Sequence, residues 1–376
     1  MRRVLVVNGP NLDLLGIREP HLYGTTTLAE LEQSLTEWGE DLGLEVDTFQ
    51  SNHEGALVER IHQARNEADG IVINPAALTH YSRSLADALV ATDLPTVEVH
   101  ISNIAAREVW RRESVVSPSA VHTIFGRGLP GYRWALRHLV YRHRAPAERL
   151  AYGMFPDQFG DLRRPHGDGK RLVILLHGGL WLNEWTRDIT DGMAVDLTNH
   201  GYVTWNLEYR RVGAGGGWPE SFVDVAAALT AAPDLVGIGP DDTIIAGHSA
   251  GGTMALWSTG LNQGRPPTMA VGMAALTDLV RAENENIGDG AIRRLLGRQR
   301  PDPSLYSPFH RLPTNVPVLL AATAGDRLIP FAHGQDFAAA AVQAGDRVEF
   351  LEVVGTHGSF MDPASDSWKE LAGLLR

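Results

Sequence analysis

The sequence contains no cysteine. Disulfides, thiolate metal sites and a cysteine nucleophile are therefore excluded, and the expected compartment is a reducing cytoplasm. Long apolar runs are also missing: none approaches the roughly 20 residues needed to cross a bilayer. The opening "MRRVLVVNGPNL" sets two arginines before only four apolar residues, far short of the core of a secretory signal. Basic charge is in short supply. With 33 lysines and arginines against 45 acidic residues, the net charge of −12 argues against nucleic acid or an anionic membrane as the main partner. No internal repeat is visible. What is present is an ordinary globular composition, 44% hydrophobic, in 376 residues, so two or three domains are expected.

Short apolar runs alternate with helical patterns from the start. "RVLVVNG" (3–9), "EVDTFQS" (45–51), "GIVINP" (70–75), "TVEVHIS" (96–102) and "HTIFG" (122–126) read as strands. Between them, "TLAELEQSLTEWGEDLG" (27–43) and "EGALVERIHQARNEAD" (54–69) place apolar residues three and four apart, as helices do. Strand and helix in regular alternation predict an α/β domain, a parallel sheet covered on both faces. Ligands of such sheets bind beyond the carboxyl ends of the strands. The polar residues cluster there: Asn8 and Asn11, Ser51 to Glu54, Asn74 to Ser82, and His100 to Asn103.

The loop "NGPNLDLLGIREPHLYG" (8–24) and the segments "QSNHEG" (50–55), "INPAALTHYS" (73–82) and "VEVHISNIAARE" (97–108) follow those strands in order. Together they resemble the type II 3-dehydroquinate dehydratases, over residues 1 to about 144. The resemblance implies a flavodoxin-like domain that converts 3-dehydroquinate to 3-dehydroshikimate by anti elimination through an enolate, in the shikimate or quinate pathway. It implies Tyr23 as the base, and a phenol can serve near neutral pH when guanidinium charge stands beside it; Arg18 and Arg107 are the candidates. It implies Asn11 as holder of a water at the enolate oxygen, His100 as general acid, and Glu98 as the residue that orients it. Substrate binding maps onto Asn74, His80, Asp87, Ile101, Ser102, Arg107 and Arg111. Asp87 would reach in from a neighbouring subunit of a trimer-based dodecamer, and the loop from Arg18 to Gly24 would close as a lid. Ala76 stands where a glycine is usual, and Ala105 where a histidine is usual.

The dehydratase pattern ends near His143, and a basic run broken by Pro146 places the boundary at 144–150, with one domain over 1–146 and a second over 147–376. In the second, "KRLVILLHGGLW" (170–181), "YVTWNLEYR" (202–210), "VPVLLAATAGDRLIP" (316–330) and "VEFLEVVGTHGSF" (348–360) contain further strands. "DTIIAGHSAGG" (242–252) is strand, tight turn and helix start around a G-x-S-x-G motif. Ser249 is the candidate nucleophile. Asp326 and His357 follow in the order Ser, Asp, His, while Gly178, Gly179 and Ala250 supply candidate oxyanion donors. These elements resemble an α/β-hydrolase of the HGG-x-W branch, which includes carboxylesterases and kynurenine formamidases.

The expected whole is a bifunctional enzyme, a dehydratase joined to a serine hydrolase acting on an acyl ester, of quinate or shikimate type if the two activities serve one route. The alternatives are an unrelated ester, a formamide such as formylkynurenine, or a silent assembly module. Neither site implies a metal or organic cofactor.

Overall fold

The computed structural model describes residues 1–261 and 266–375, without the side chains of His21 and Leu22. The chain forms two compact units, Met1–Arg144 and Ala145–Arg376. Among the described residues no helix is long and apolar enough to cross a membrane.

The first unit runs β1 (Arg3–Asn8), α1 (Pro20–Tyr23), α2 (Leu28–Leu42), β2 (Glu45–Gln50), α3 (Glu54–Glu67), β3 (Gly70–Asn74), α4 (Arg83–Thr92), β4 (Thr96–His100), β5 (His122–Phe125) and α5 (Pro130–Arg144). Its five strands are all parallel, in the order β2-β1-β3-β4-β5. The central strands are apolar on both sides because helices cover both faces. Val4, Val6 and Val72 pack toward α2 and α5 with Leu31, Leu35 and Leu136, while Leu5, Ile71 and Ile73 pack toward α3 and α4 with Ile61 and Leu85. Helix α2 starts at a reciprocal cap: Glu30 N–H donates to Thr27 Oγ1 at 3.3 Å and Thr27 N–H to Glu30 Oε2 at 2.7 Å. The order reverses at β1, so the loops after β1 and β3 diverge and leave a crevice at the strands' carboxyl ends.

The second unit adds β6 (Glu148–Ala151), β7 (Phe159–Arg163), β8 (Leu172–Leu176), α6 (Asp191–Asn199), β9 (Val203–Leu207), α7 (Glu220–Val236), β10 (Thr243–His248), α8 (Ala250–Ser258) and β11 (Met269–Met273). It continues with α9 (Leu279–Asn284), α10 (Ala291–Leu296), α11 (Pro303–Tyr306), β12 (Val318–Ala322), α12 (Ala332–Gln343), β13 (Val348–Glu352) and α13 (Asp366–Leu375). The eight strands lie in the order β13-β12-β11-β10-β8-β9-β7-β6. Six are parallel, and β6 and β7 join antiparallel at one end, so the sheet is mixed. Helices α6 and α13 cover one face through Met193, Leu197, Trp368 and Leu371; α7, α8 and α12 cover the other through Phe222, Met254 and Phe337.

Candidate active sites

In the first unit the carboxyl ends of β1, β3 and β4 open into a cavity of about 130 Å³. Asn11, Arg18, Tyr23, Asn74, His80, His100, Ile101, Ser102, Arg107 and Arg111 all line it. Arg107 Nη1 donates to Tyr23 Oη at 3.3 Å and reaches Ser102 Oγ at 3.4 Å, so one guanidinium joins the short helix α1 to the loop after β4. Arg18 stands over the Tyr23 ring, 6.0 Å from its centroid. The Ile101–Ser102 turn is pinned from the loop after β5, where Gly128 N–H donates to Ile101 O and Gly126 N–H to Ser102 O.

Glu98 lies one strand position pair behind this wall, fully buried. His100 Nε2–H donates to Glu98 Oε1 at 2.9 Å, and hydroxyls of Thr79, Ser114 and Ser117 also donate to the carboxylate. Burial pushes the Glu98 pKa up, but the His100 hydrogen bond and charge and the hydroxyl donors outweigh it, and the net shift is downward. The carboxylate accepts from Nε2, which directs the other ring nitrogen of His100 away from it. His80 is fixed similarly: its Nδ1–H donates to Glu113 O at 2.7 Å, and its ring packs edge-on to Trp110. Asn74 Nδ2 donates to Tyr132 Oη, which donates to Asn8 Oδ1, so a buried phenol sets the amide's orientation.

Asp87 is apart from this group, on an exposed face of α4 and outside the cavity lining. Ala105 is half-buried in a 3-10 turn beside the cavity residue Ile104. Thr79, Ser114, Ser117, Tyr132 and Trp110 were not singled out from sequence. The three hydroxyls and the phenol act on other side chains, and an apolar stripe shared with Leu136 and Leu139 makes Tyr132 read as core.

In the second unit Ser249 stands between β10 and α8 with φ 55 and ψ −122, a backbone region costly for a non-glycine residue. Its Oγ is buried and makes no hydrogen bond among the described residues. His357 Nδ1–H donates to Asp326 Oδ2 at 2.7 Å, leaving Nε2 as the nitrogen able to take a proton. Burial pushes the Asp326 pKa up, but the His357 bond and charge and the Ile329 and Leu328 amides carry it below the ordinary value. The loop carrying His357 is tied to the end of β10 by His248 Nε2–H, which donates to His357 O at 2.8 Å. Burial, then the nearby His357 charge, lower the His248 pKa to about 3. The hydrogen bond and low pKa together define a neutral donor at His248.

The loop after β8 backs directly onto the serine. A Cβ at Gly178 would stand 2.9 Å from both Ser249 Cβ and His248 O, so only a glycine lets the two turns approach. Gly179, Leu180 and Trp181 follow with φ 102, 53 and 59. For residues with side chains this left-handed backbone costs about 1–2 kcal/mol each. Ala250 opens α8 at its N-terminus, where amides face outward and favour negative charge. His177 precedes the loop, fully buried; its Nε2–H donates to Glu208 Oε1 at 2.9 Å and its ring stacks on Tyr209 at 4.3 Å. Burial raises the Glu208 pKa, but Arg211, His177 and Arg187 outweigh it and hold the carboxyl at about 2. A carboxylate at the end of the apolar strand "YVTWNLEYR" was the available sequence signal for Glu208.

The dehydroquinase class II family model matches residues 2–140, and the BD-FAE model matches residues 161–340. The catabolic 3-dehydroquinase of Aspergillus oryzae is 49% identical over 150 residues, spanning 40% of this chain and 98% of that one. The 3-dehydroquinate dehydratase of Endomicrobium trichonymphae is 52% identical over 140 residues, 37% of this chain and 98% of that one. A truncated carbohydrate esterase from gut microbiota, 18% identical, shares the fold with a TM-score of 0.54 over 61% of this chain and 97% of its own. The chain belongs to the class II dehydroquinase family, a 3-dehydroquinate dehydratase in its first unit with an esterase-like α/β-hydrolase in its second.

Proposed function

We propose that the first unit works by anti elimination through an enolate and that the second hydrolyses an acyl ester with Ser249 as nucleophile. The dehydratase reading rests on the meeting of Tyr23, Arg107, Asn11 and His100 around one cavity. Tyr23 takes a proton from the carbon beside the substrate carbonyl, with Arg107 and Arg18 stabilising the phenolate. The electron pair moves to the carbonyl oxygen, where a water held at Asn11 stabilises the enolate. His100, oriented by Glu98, gives a proton to the leaving hydroxyl, which departs as water. The substrate carboxylate rests on the Ile101 and Ser102 amides and the Ser102 hydroxyl. Arg111 and His80 meet ring hydroxyls, Asn74 is held ready by Tyr132, and Asp87 reaches a neighbouring subunit's site in a trimer-based dodecamer. The loop from Arg18 to Gly24 closes over the substrate.

The hydrolase reading rests on the Asp326–His357 pair at 2.7 Å, whose loop His248 ties to the end of β10, and on a serine held at the strained turn that follows. Ser249 Oγ attacks the acyl carbon as His357 Nε2 takes its proton, and the oxyanion faces the amides of the 178–179 turn and Ala250. His357 returns the proton to the leaving alcohol, and water repeats the sequence to release the acid. Fusion to a dehydratase favours esters of quinate or shikimate type, so that both units serve one cytoplasmic route, with a separate dehydrogenase oxidising the freed acid between them unless that acid is already 3-dehydroquinate. The HGG-x-W motif at 177–181 favours a second reading, cleavage of a formamide such as formylkynurenine.

Both activities are checked on one preparation by following 3-dehydroshikimate formation and hydrolysis of a small activated acyl ester. Tyr23→Phe is expected to lower dehydration about 1,000-fold or more with ester hydrolysis intact, and Ser249→Ala to do the reverse. Ester hydrolysis surviving in Ser249→Ala refutes the nucleophile, and failure on every quinate and shikimate ester refutes the coupled route.

A further inference from the structure

The loop carrying the 178–179 amides is left-handed at three successive residues, Gly179, Leu180 and Trp181. Such a backbone persists only where its surroundings over-determine it. The turn at Gly178 is pressed against His248 and Ser249, so any relaxation of the loop alters the donors' distance from the nucleophile. Something beneath the loop must hold it.

Strand β8 ends at Leu176 paired with Leu207 of β9, so His177 and Glu208 leave the sheet side by side. Glu208 Oε1 accepts from His177 Nε2–H at 2.9 Å and lies 3.4 Å from Arg211 Nε, and Oε2 accepts from Arg187 N–H at 3.2 Å. Tyr209 Oη donates to His177 O at 2.8 Å, fixing the carbonyl immediately before Gly178. Arg211 Nη1 donates to Trp185 O at 3.0 Å, closing the far side of the same loop. All these side chains are buried, and the carboxylate is bound to both flanks of the loop, at His177 and at Arg187.

We infer that Glu208 is a positioning residue for ester hydrolysis: through His177 and Arg211 it holds the strained 178–181 loop where its amides meet the oxyanion. The inference rests on the Ser249 reading. Glu208 touches no substrate, so its removal leaves ground-state binding alone and weakens interactions made only in the transition state.

The experiment uses the full chain with a small activated acyl ester, measuring kcat, KM and inhibition by phenylboronic acid, which forms a tetrahedral adduct on a serine oxygen. Glu208→Gln keeps the shape and weakens the acceptor; Tyr209→Phe keeps the ring stack and removes only the hydroxyl bonded to His177 O. Glu208→Gln is expected to lower kcat about 100-fold, comparable to loss of one oxyanion donor, with KM unchanged and boronic acid inhibition weakened in parallel. Tyr209→Phe is expected to show the same pattern with a smaller loss. Unchanged kcat in Tyr209→Phe, or a raised KM with kcat intact in either variant, overturns the inference whether or not Glu208→Gln folds. Ester hydrolysis missing from the unaltered chain overturns both this inference and the Ser249 reading; hydrolysis present with both variants unaffected overturns this inference alone.

Discussion

Ala76 sits at φ 53, just past β3 and on the wall of the dehydratase cavity. An alanine there carries about 1–2 kcal/mol of backbone strain, which glycine relieves at the cost of about 0.4–1 kcal/mol of extra freedom in the unfolded chain. Ala76→Gly is therefore expected to stabilise the first unit by up to about 1.6 kcal/mol. Thermal denaturation checks it, and a lowered midpoint would mean that the methyl group's packing outweighs the strain. At this scale the residues facing the cavity were legible in sequence, because Asn74 and His100 end a strand, Asn11 and Ser102 follow one, and the strand ends converge. The residues holding them were not. Thr79, Ser114 and Ser117 bind Glu98, and Tyr132 binds Asn74, across chain separations that no local pattern records. Asp87 belongs to a different surface of the unit, and only the family resemblance links it to the reaction.

Two elements of the hydrolase, the end of β10 and the loop after β13, are joined through His248 Nε2–H and His357 O. The folded pKa of His248, about 3, lies below its ordinary 6.5. Between those values the unfolded chain binds a proton that the folded chain refuses, so stability is fully present above about 6.5 and declines as pH falls toward about 3. The slope is up to about 1.4 kcal/mol per pH unit. The groups around it, His357 and Asp326, are themselves paired, and the carboxylates Asp326 and Glu208, held low, begin to lose stabilisation only as pH falls into their ordinary carboxylate range. Urea denaturation from pH 7 to 5 checks this: His248→Gln is expected to flatten the slope, and an equal slope in both proteins would assign it elsewhere. Most elements were readable from apolar runs and helical spacing, including β8, β9, β10, β12 and β13. Strand β7, "FGDLR", was not. Its inward Asp161 and Arg163 pair with Arg187 and Asp191, so a buried strand carries charge where a sequence pattern expects apolar residues.

Each unit closes its own core, with Leu136 inside the first and Trp205 inside the second. Heating is expected to give two transitions. Leu136→Ala is expected to lower one by about 2–5 kcal/mol and Trp205→Ala the other by about 3–5 kcal/mol, each leaving the remaining transition in place. Calorimetry on the two variants checks this, and a single transition shifted by both would show that the units melt as one. Among the described residues the hydrolase sheet also has two outer strands, β6 and β13, each paired on one side only. An unpaired strand is a template on which another chain can add hydrogen bonds and begin an aggregate. Exposed Glu148 and Arg149 on β6, and exposed Glu349 and Glu352 on β13, guard these edges. Two β13 edges meeting side by side would bring carboxylate against carboxylate, so the charges that add nothing to either reaction keep a concentrated solution of this enzyme from joining sheet to sheet.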